Sequence, residues 1–351
     1  MQMMYVRDRA PRSTRKVWGR VAAAVLSAAG VLALSLTAGV AGSSASAAKP
    51  LTGKTVDLVT ITNANPWAAV YNATITGYLR PLGAKVNILA TPSTDPQGQV
   101  QMLGSAVAER PNLIFLEALD TNAVAPAIAK AKAQGVTIVN TDGPADPAVA
   151  SGLHQVLSNN YELGQYAAEN IIEGLQKEGK KHAKIGVIEG TASMLVTQQR
   201  MQGFYKVLSK DPSYKVVDTQ DGKWDPVLSG QLATQMFAKY GKTGLQAMYG
   251  MADYMAVPIV TAAQQAGITV GVAKGGLIIT GSNCFKVGIE AIRAGTMYGT
   301  ATEDPGTISR LAAEYGAKLL EGKKVPLVET VQEHRVTAAN LKTYGAICSK
   351  A

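Results

Sequence analysis

"TVDLVTITNANPWAAV", Thr55 to Val70, runs from a short β-branched stretch through two asparagines, a proline and a tryptophan into a helical pattern. The same grammar repeats along the chain: short β-branched runs alternate with longer helical patterns, and Gly, Pro or Asn punctuates the joins. Strands are expected at "TVDLVTIT", "AKVNILAT", "NLIFLE", "VTIVNT", "HQVLS", "AKIGVIEG", "YKVVDT", "QAMYG", "LIITG" and "YGTATE". Helices are expected over 67–79, 97–109, 123–134, 162–175, 196–210, 227–240, 255–265, 284–294 and 307–320. Such alternation predicts an α/β fold of parallel sheets covered by helices on both faces.

Sheets of that kind carry their working residues on loops at the carboxyl ends of strands. Asn65 and Trp67 follow the first strand, Asp142 follows "VTIVN", Trp224 follows "YKVVDTQDGK", Asp253 follows "QAMYG" and Asn283 follows "LIITG". Polar and aromatic groups at equivalent strand ends of two sheets predict a cleft between two lobes. An indole laid on the apolar face of a ring, with amides and carboxylates bonding its edge, suits a polyhydroxyl ligand.

At 351 residues and 47% hydrophobic the chain has material for roughly two domains of ordinary size. Its first residues differ from the rest. Arg7, Arg9, Arg12, Arg15, Lys16 and Arg20 precede the apolar run Val21–Val40, and Ala45-Ser46-Ala47 ends the segment. This reads as a secretory signal peptide over residues 1–47, the alternative being an uncleaved membrane anchor. No adjacent arginine pair occurs and no cysteine precedes Cys284, so ordinary export is expected, without a lipid anchor, to the periplasm or cell exterior. Six basic residues and Asp8 leave with the leader, so the formal +9 falls to about +4. That mild surplus, without a basic run, gives no footprint for nucleic acid.

Cys284 and Cys348 are the only cysteines. In an oxidising compartment such a pair can be bridged; the alternative is two separate buried thiols. With His154, His182 and His334 far apart in sequence, no metal-ligand spacing is present and no metal or cofactor is expected.

Catalytic and nucleotide-binding readings find little support. The triplets Gly53-Lys54-Thr55 and Gly241-Lys242-Thr243 lack the earlier glycine of a phosphate loop, with Ala48 and Met236 in its place. No glycine fingerprint for a dinucleotide follows any expected strand, and no G-x-S-x-G turn occurs. Asp142 and Glu303 would be the carboxylates of an acid–base pair, but no activated nucleophile accompanies them. A binding protein rather than an enzyme is expected.

Several motifs in order carry a family resemblance: "NPW" (65–67), "DTNAVAPAIAKAKAQGVTIVNTD" (120–142), "SNNYELGQYAAENI" (158–171), "RMQGF" (200–204), "MADYMAVPIVTAAQQAG" (251–267) and "AGTMYGTATEDPGTISRLAAEYGAKLLEGKKV" (294–325). From about Lys54 onward the chain resembles the type I periplasmic binding proteins of sugar ABC transporters, in the ribose-binding group. The resemblance implies two doubly wound parallel-sheet lobes joined by a three-segment hinge. The first lobe would be 48–156 plus 304–332 and the second 157–303 plus 333–351, with crossings near 155–158, 302–304 and 331–333.

Carried over residue by residue, the resemblance implies a ligand set of Asn65, Trp67 and Asp142 from the first lobe and Gln198, Trp224, Asn283 and Glu303 from the second. The family's asparagine–aspartate pair reads Ala252-Asp253, which leaves Asp253 as its polar member. Gln198 stands where ribose binders are expected to place an arginine, Asn283 where they place an aspartate and Glu303 where they place a glutamine, so the pattern points away from ribose itself. Both cysteines would lie in the second lobe. The implied function is capture of a small, neutral sugar or polyol by a monomer and its delivery to an ABC transporter permease. A membrane sensor or chemoreceptor as partner, or a ring compound such as a nucleoside as ligand, is the alternative.

Overall fold

The computed structural model describes residues 48–273 and 275–348. The predicted leader, 1–47, lies outside the described residues. Twelve strands form two sheets of six. β1 (Thr55–Ile61), β2 (Lys85–Thr91), β3 (Leu113–Glu117), β4 (Thr137–Asp142), β5 (His154–Leu157) and the late β11 (Val328–Thr330) make the first, in the order β2-β1-β3-β4-β5-β11. β6 (Ala183–Glu189), β7 (Tyr214–Asp221), β8 (Ala247–Gly250), β9 (Ile278–Thr280), β10 (Gly299–Ala301) and β12 (Arg335–Thr337) repeat it as β7-β6-β8-β9-β10-β12. The chain therefore passes to the second sheet after β5, returns after β10 and passes again between β11 and β12. Every strand pair is parallel except β10 with β12, an antiparallel edge that the sequence reading did not anticipate.

Central strands are apolar because helices cover both faces. β3, "LIFLE", is buried at every position. On one side of the first sheet α1 (Pro66–Leu79) packs on α10 (Pro305–Leu320); on the other lie α2 (Pro96–Glu109), α3 (Thr121–Ala133) and the short α4 (Pro147–Ala150). Their face holds its own apolar cluster, in which Leu103, Val107, Val124 and Ile128 meet Val59, Ile114 and Leu116. In the second lobe α5 (Asn160–Lys177) pairs with α6 (Leu195–Leu208), and α7 (Pro226–Gly244) with α8 (Asp253–Gln265). α9 (Lys286–Arg293) packs against α8 and α11 (Leu341–Cys348).

Five helices begin at an Asn-Pro or Asp-Pro pair. Asn65-Pro66, Asp95-Pro96, Asp146-Pro147, Asp225-Pro226 and Asp304-Pro305 each set an Asn or Asp cap before a proline whose missing N–H costs the first turn nothing. Asn65 Oδ1 accepts from the Ala68 N–H and Asp225 Oδ1 from those of Val227 and Leu228. Where the side chain bonds first-turn N–H groups, as at Asn65, Asp146, Asp225 and Asp304 but not at Asp95, the cap contributes about 1 kcal/mol and fixes where its helix starts relative to the preceding strand. Of the two GKT triplets, Gly53 stands in the turn before β1 at φ 82°, whereas Gly241, at φ 68°, is a kink within α7 rather than a turn between elements. Cys284 lies outside α9, contrary to the predicted helix over 284–294, and is joined to Cys348 of α11 by a disulfide.

Candidate functional site

In an α/β sheet of strand order 2-1-3-4-5 the crevice opens between β1 and β3, where the connections diverge in opposite directions. Both sheets have this order, and their strand ends face one cavity. From the first lobe come Asn65 and Trp67 after β1, Glu117 at the end of β3 and Asp142 at the end of β4. The second contributes Arg200 from α6, Trp224 before α7, Tyr254 from α8 and Asn283 after β9.

The aromatic walls are held rather than free. Trp67 is buried, stacks on Tyr71 with ring centroids 5.0 Å apart, and donates its indole N–H to Glu303 Oε1 at 3.0 Å. Trp224 donates to Met194 Sδ at 3.2 Å, and the Arg200 guanidinium lies 5.2 Å from the Trp224 ring. Asn65, already the cap of α1, reaches across the cleft: its amide donates to Trp224 O at 3.2 Å and Tyr254 Oη at 3.4 Å. A second bridge joins Thr191 and Thr94 hydroxyls at 3.2 Å. The lobes are closed on one another.

Arg200 is the basic side chain among those lining the cavity. It is 1% exposed, and its donors are committed: Nε to Asn160 Oδ1 at 2.8 Å, Nη1 to Met251 O at 3.0 Å and to Asn283 Oδ1 at 2.7 Å. Nη2 lies 3.7 Å from Glu303 Oε2. Its depth follows from glycines that let α5 and α6 touch: a Cβ at Gly164 would lie 1.8 Å from Arg200 O, and one at Gly203 would lie 1.9 Å from Tyr161 O. Glu303 accepts from Trp67, from Ser158 Oγ at 3.3 Å and from the Asn283 amide. Burial, then the neighbouring Asp142 charge, holds the Glu303 carboxyl well above the usual carboxylate range, with Arg200 opposing.

Three cavity residues adopt left-handed backbone: Asp142 at φ 66°, Trp224 at 55° and Asn283 at 81°. Ordinary extended residues at these strand ends would aim elsewhere, so the turn conformation itself points the side chains inward. Asp142 Oδ1 accepts from Asn160 Nδ2 at 3.3 Å. The Asn283 loop is pinned from behind by Asp253, whose Oδ2 accepts from the Phe285 N–H at 2.8 Å, and by the disulfide at the adjacent Cys284.

Two expected ligand residues stand elsewhere. Gln198 is exposed and donates to the carbonyls of Ala192 and Ser193; two residues along a helix is about 200° of rotation, so when Arg200 faces in, Gln198 faces out. The arginine of "RMQGF" therefore occupies the position assigned to Gln198. Asp253 is fully buried behind the Asn283 loop and does not line the cavity; its carboxyl is pushed up to about 8, chiefly by burial. Tyr254, one residue on, lines the wall instead. Sequence reasoning missed Tyr254 and Glu117, and allowed for an inward turn of Arg200 without placing it in the ligand set. The signal for Glu117 was present, a carboxylate ending an otherwise apolar strand at a sheet's carboxyl edge.

Two lobes closed over a polar and aromatic cavity at the ends of their strands define a protein that binds a small ligand by enclosing it. A family model described as periplasmic binding protein domain matches residues 56–324, and the chain belongs to that family. Its relatives include the D-allose-binding periplasmic protein of Escherichia coli, 27% identical over 278 residues, covering 76% of this chain and 85% of that protein. A ribose import binding protein of Bacillus subtilis is 25% identical over 271 residues, 77% and 83% of the two chains. Among solved structures, the Caulobacter myo-inositol binding protein bound to myo-inositol superposes with a TM-score of 0.75 at 18% identity, covering 84% of this chain and 96% of that one.

Proposed function

We propose that this chain is exported by the leader 1–47, acts as a monomer in the periplasm or at the cell exterior, and captures a small sugar or polyol for the permease of an ABC importer. The observation that carries this reading is the pairing of Trp67 and Trp224, one from each lobe, with Asn65, Asp142, Arg200 and Asn283 around one cavity. Indole faces take the apolar side of a sugar ring, and the amide, carboxylate and guanidinium groups take its hydroxyls. The D-allose-binding and ribose import binding proteins among its relatives support the same ligand class. Because the walls come from two lobes, the ligand makes its full contact set only in the closed form, and that difference in affinity drives closure.

Thermal unfolding and tryptophan emission, measured with D-allose, D-ribose, D-arabinose and myo-inositol, test the proposal. A ligand at about a hundred times its Kd adds about 2.7 kcal/mol, a rise of a few degrees in Tm. Trp67→Ala should weaken the hit by about 1 kcal/mol or more through lost stacking, whereas Gln198→Ala should leave it unchanged. Stabilisation by a compound that is neither sugar nor polyol in place of these, or equal binding by Trp67→Ala, refutes it.

A further inference from the structure

Acidic groups outnumber basic ones at the cavity. Glu117, Asp142 and Glu303 gather on or beside its wall, against the single guanidinium of Arg200, which is spent on Asn160, Met251 O, Asn283 and Glu303. Glu117 is 7% exposed and lines the cavity; the buried Thr60 hydroxyl lies beside its carboxyl, but Oε2 has no donor at ordinary hydrogen-bond distance among the described residues. Glu117 and Asp142 end neighbouring parallel strands, with Glu117 in register with Thr141, so both carboxylates stand at one corner of the cavity.

A buried acceptor without a donor costs roughly 1–3 kcal/mol, more when charged, and calls for a partner that donates. Ring hydroxyls would supply hydrogen bonds but nothing that lets these carboxyls ionise. Among the described residues no set of His, Cys, Asp or Glu side chains is arranged to hold a metal ion. A protonated amine meets every demand: it donates only, its charge stabilises the carboxylate form of Glu117, and it is attracted to the indole faces of Trp67 and Trp224. Resting on the sugar or polyol reading above, we propose that the preferred ligand is a cationic one, an amino sugar or aminocyclitol whose ammonium group lies against Glu117 and Asp142. Burial, then the Asp142 charge, pushes Glu117 up to about 8, so without a cation beside it the carboxyl keeps its proton at neutral pH. Arrival of the ammonium displaces that proton to solvent, and carboxylate and cation then neutralise each other.

Titration calorimetry of the purified protein with matched pairs tests this: D-glucose against D-glucosamine, D-galactose against D-galactosamine, and myo-inositol against an amino-inositol. The expected result is that at least one amine binds about tenfold or more tightly than its neutral twin, with a heat at pH 7 that changes with the ionisation enthalpy of the buffer. In Glu117→Gln the advantage of the amine over its neutral twin should collapse. Neutral sugars binding as tightly as their amines, or binding alone, would overturn the inference and leave the sugar reading intact. Silence of both members of every pair would overturn both.

Discussion

Replacing Arg200 by methionine keeps an unbranched chain of similar reach and removes only the charged fork. Three hydrogen bonds of 2.7 to 3.0 Å go with it, leaving Asn160 Oδ1, Asn283 Oδ1 and the Met251 carbonyl without that donor. Glu303, fully enclosed, also loses the positive charge 3.7 Å away. At about 1.5–3 kcal/mol per charge-assisted bond the raw sum overshoots, because orphaned amides can turn and Glu303 can take a proton. Breaking a buried ion pair from one side typically costs about 3–5 kcal/mol, and that is the expected loss. Against a total stability of about 5–15 kcal/mol the effect is large. Urea unfolding followed by tryptophan emission at pH 5.5 and pH 8 provides the measurement. Arg200 lowers the Glu303 pKa, so its removal raises that pKa further, and a protonated Glu303 no longer needs the guanidinium. The deficit should therefore be smaller at pH 5.5 than at pH 8. A loss below about 1 kcal/mol, or one of equal size at both pH values, would refute the view of Arg200 as the charge that completes the cavity.

The wall behind Trp224 offers a second test. A Cβ at Gly190 would lie 2.0 Å from Trp224 Cε2, so Gly190→Ala must push the indole into the cavity; a stability loss of about 1–3 kcal/mol and a shifted emission maximum are expected, and an unchanged spectrum would contradict the placement. A third concerns pH. Glu333, buried with Oε1 unpartnered, is pushed up to about 8 by burial. Its folded-state pKa exceeds the unfolded value, so its contribution is fully present below the ordinary carboxylate range and is lost as pH rises through about 8. Urea midpoints across pH 4.5–8.5 should therefore fall less steeply in Glu333→Gln than in the parent, and parallel curves would exclude the assignment.

Ten strands were legible because each carries enough β-branched and apolar residues to show against its flanks. β11 and β12, three residues each in "VPLVETVQEHRVT", are not: their pairing is imposed by the sheet edges they join, and Val328 is exposed. At the cavity, residues that stand on loops just past a strand, such as Asn65, Asp142 and Asn283, could be placed from sequence, because strand ends converge in this topology. Helical positions could not, since facing depends on rotation about an axis that motif spacing alone did not set. Gln198 against Arg200 is a case of phase, and Asp253 against Tyr254 a case of which neighbour serves the backbone and which the cavity. Glu117 was counted as the last letter of a strand rather than the first of a site.

The left-handed residues Asp142, Trp224 and Asn283 set robustness against capture. A non-glycine residue in that conformation costs on the order of 1 kcal/mol or more, which glycine would largely avoid. Glycine at 142 or 224 would relax the backbone and erase a wall of the cavity in one step. An engineering programme scored by melting temperature alone would thus be drawn first to the positions that make this protein a receptor.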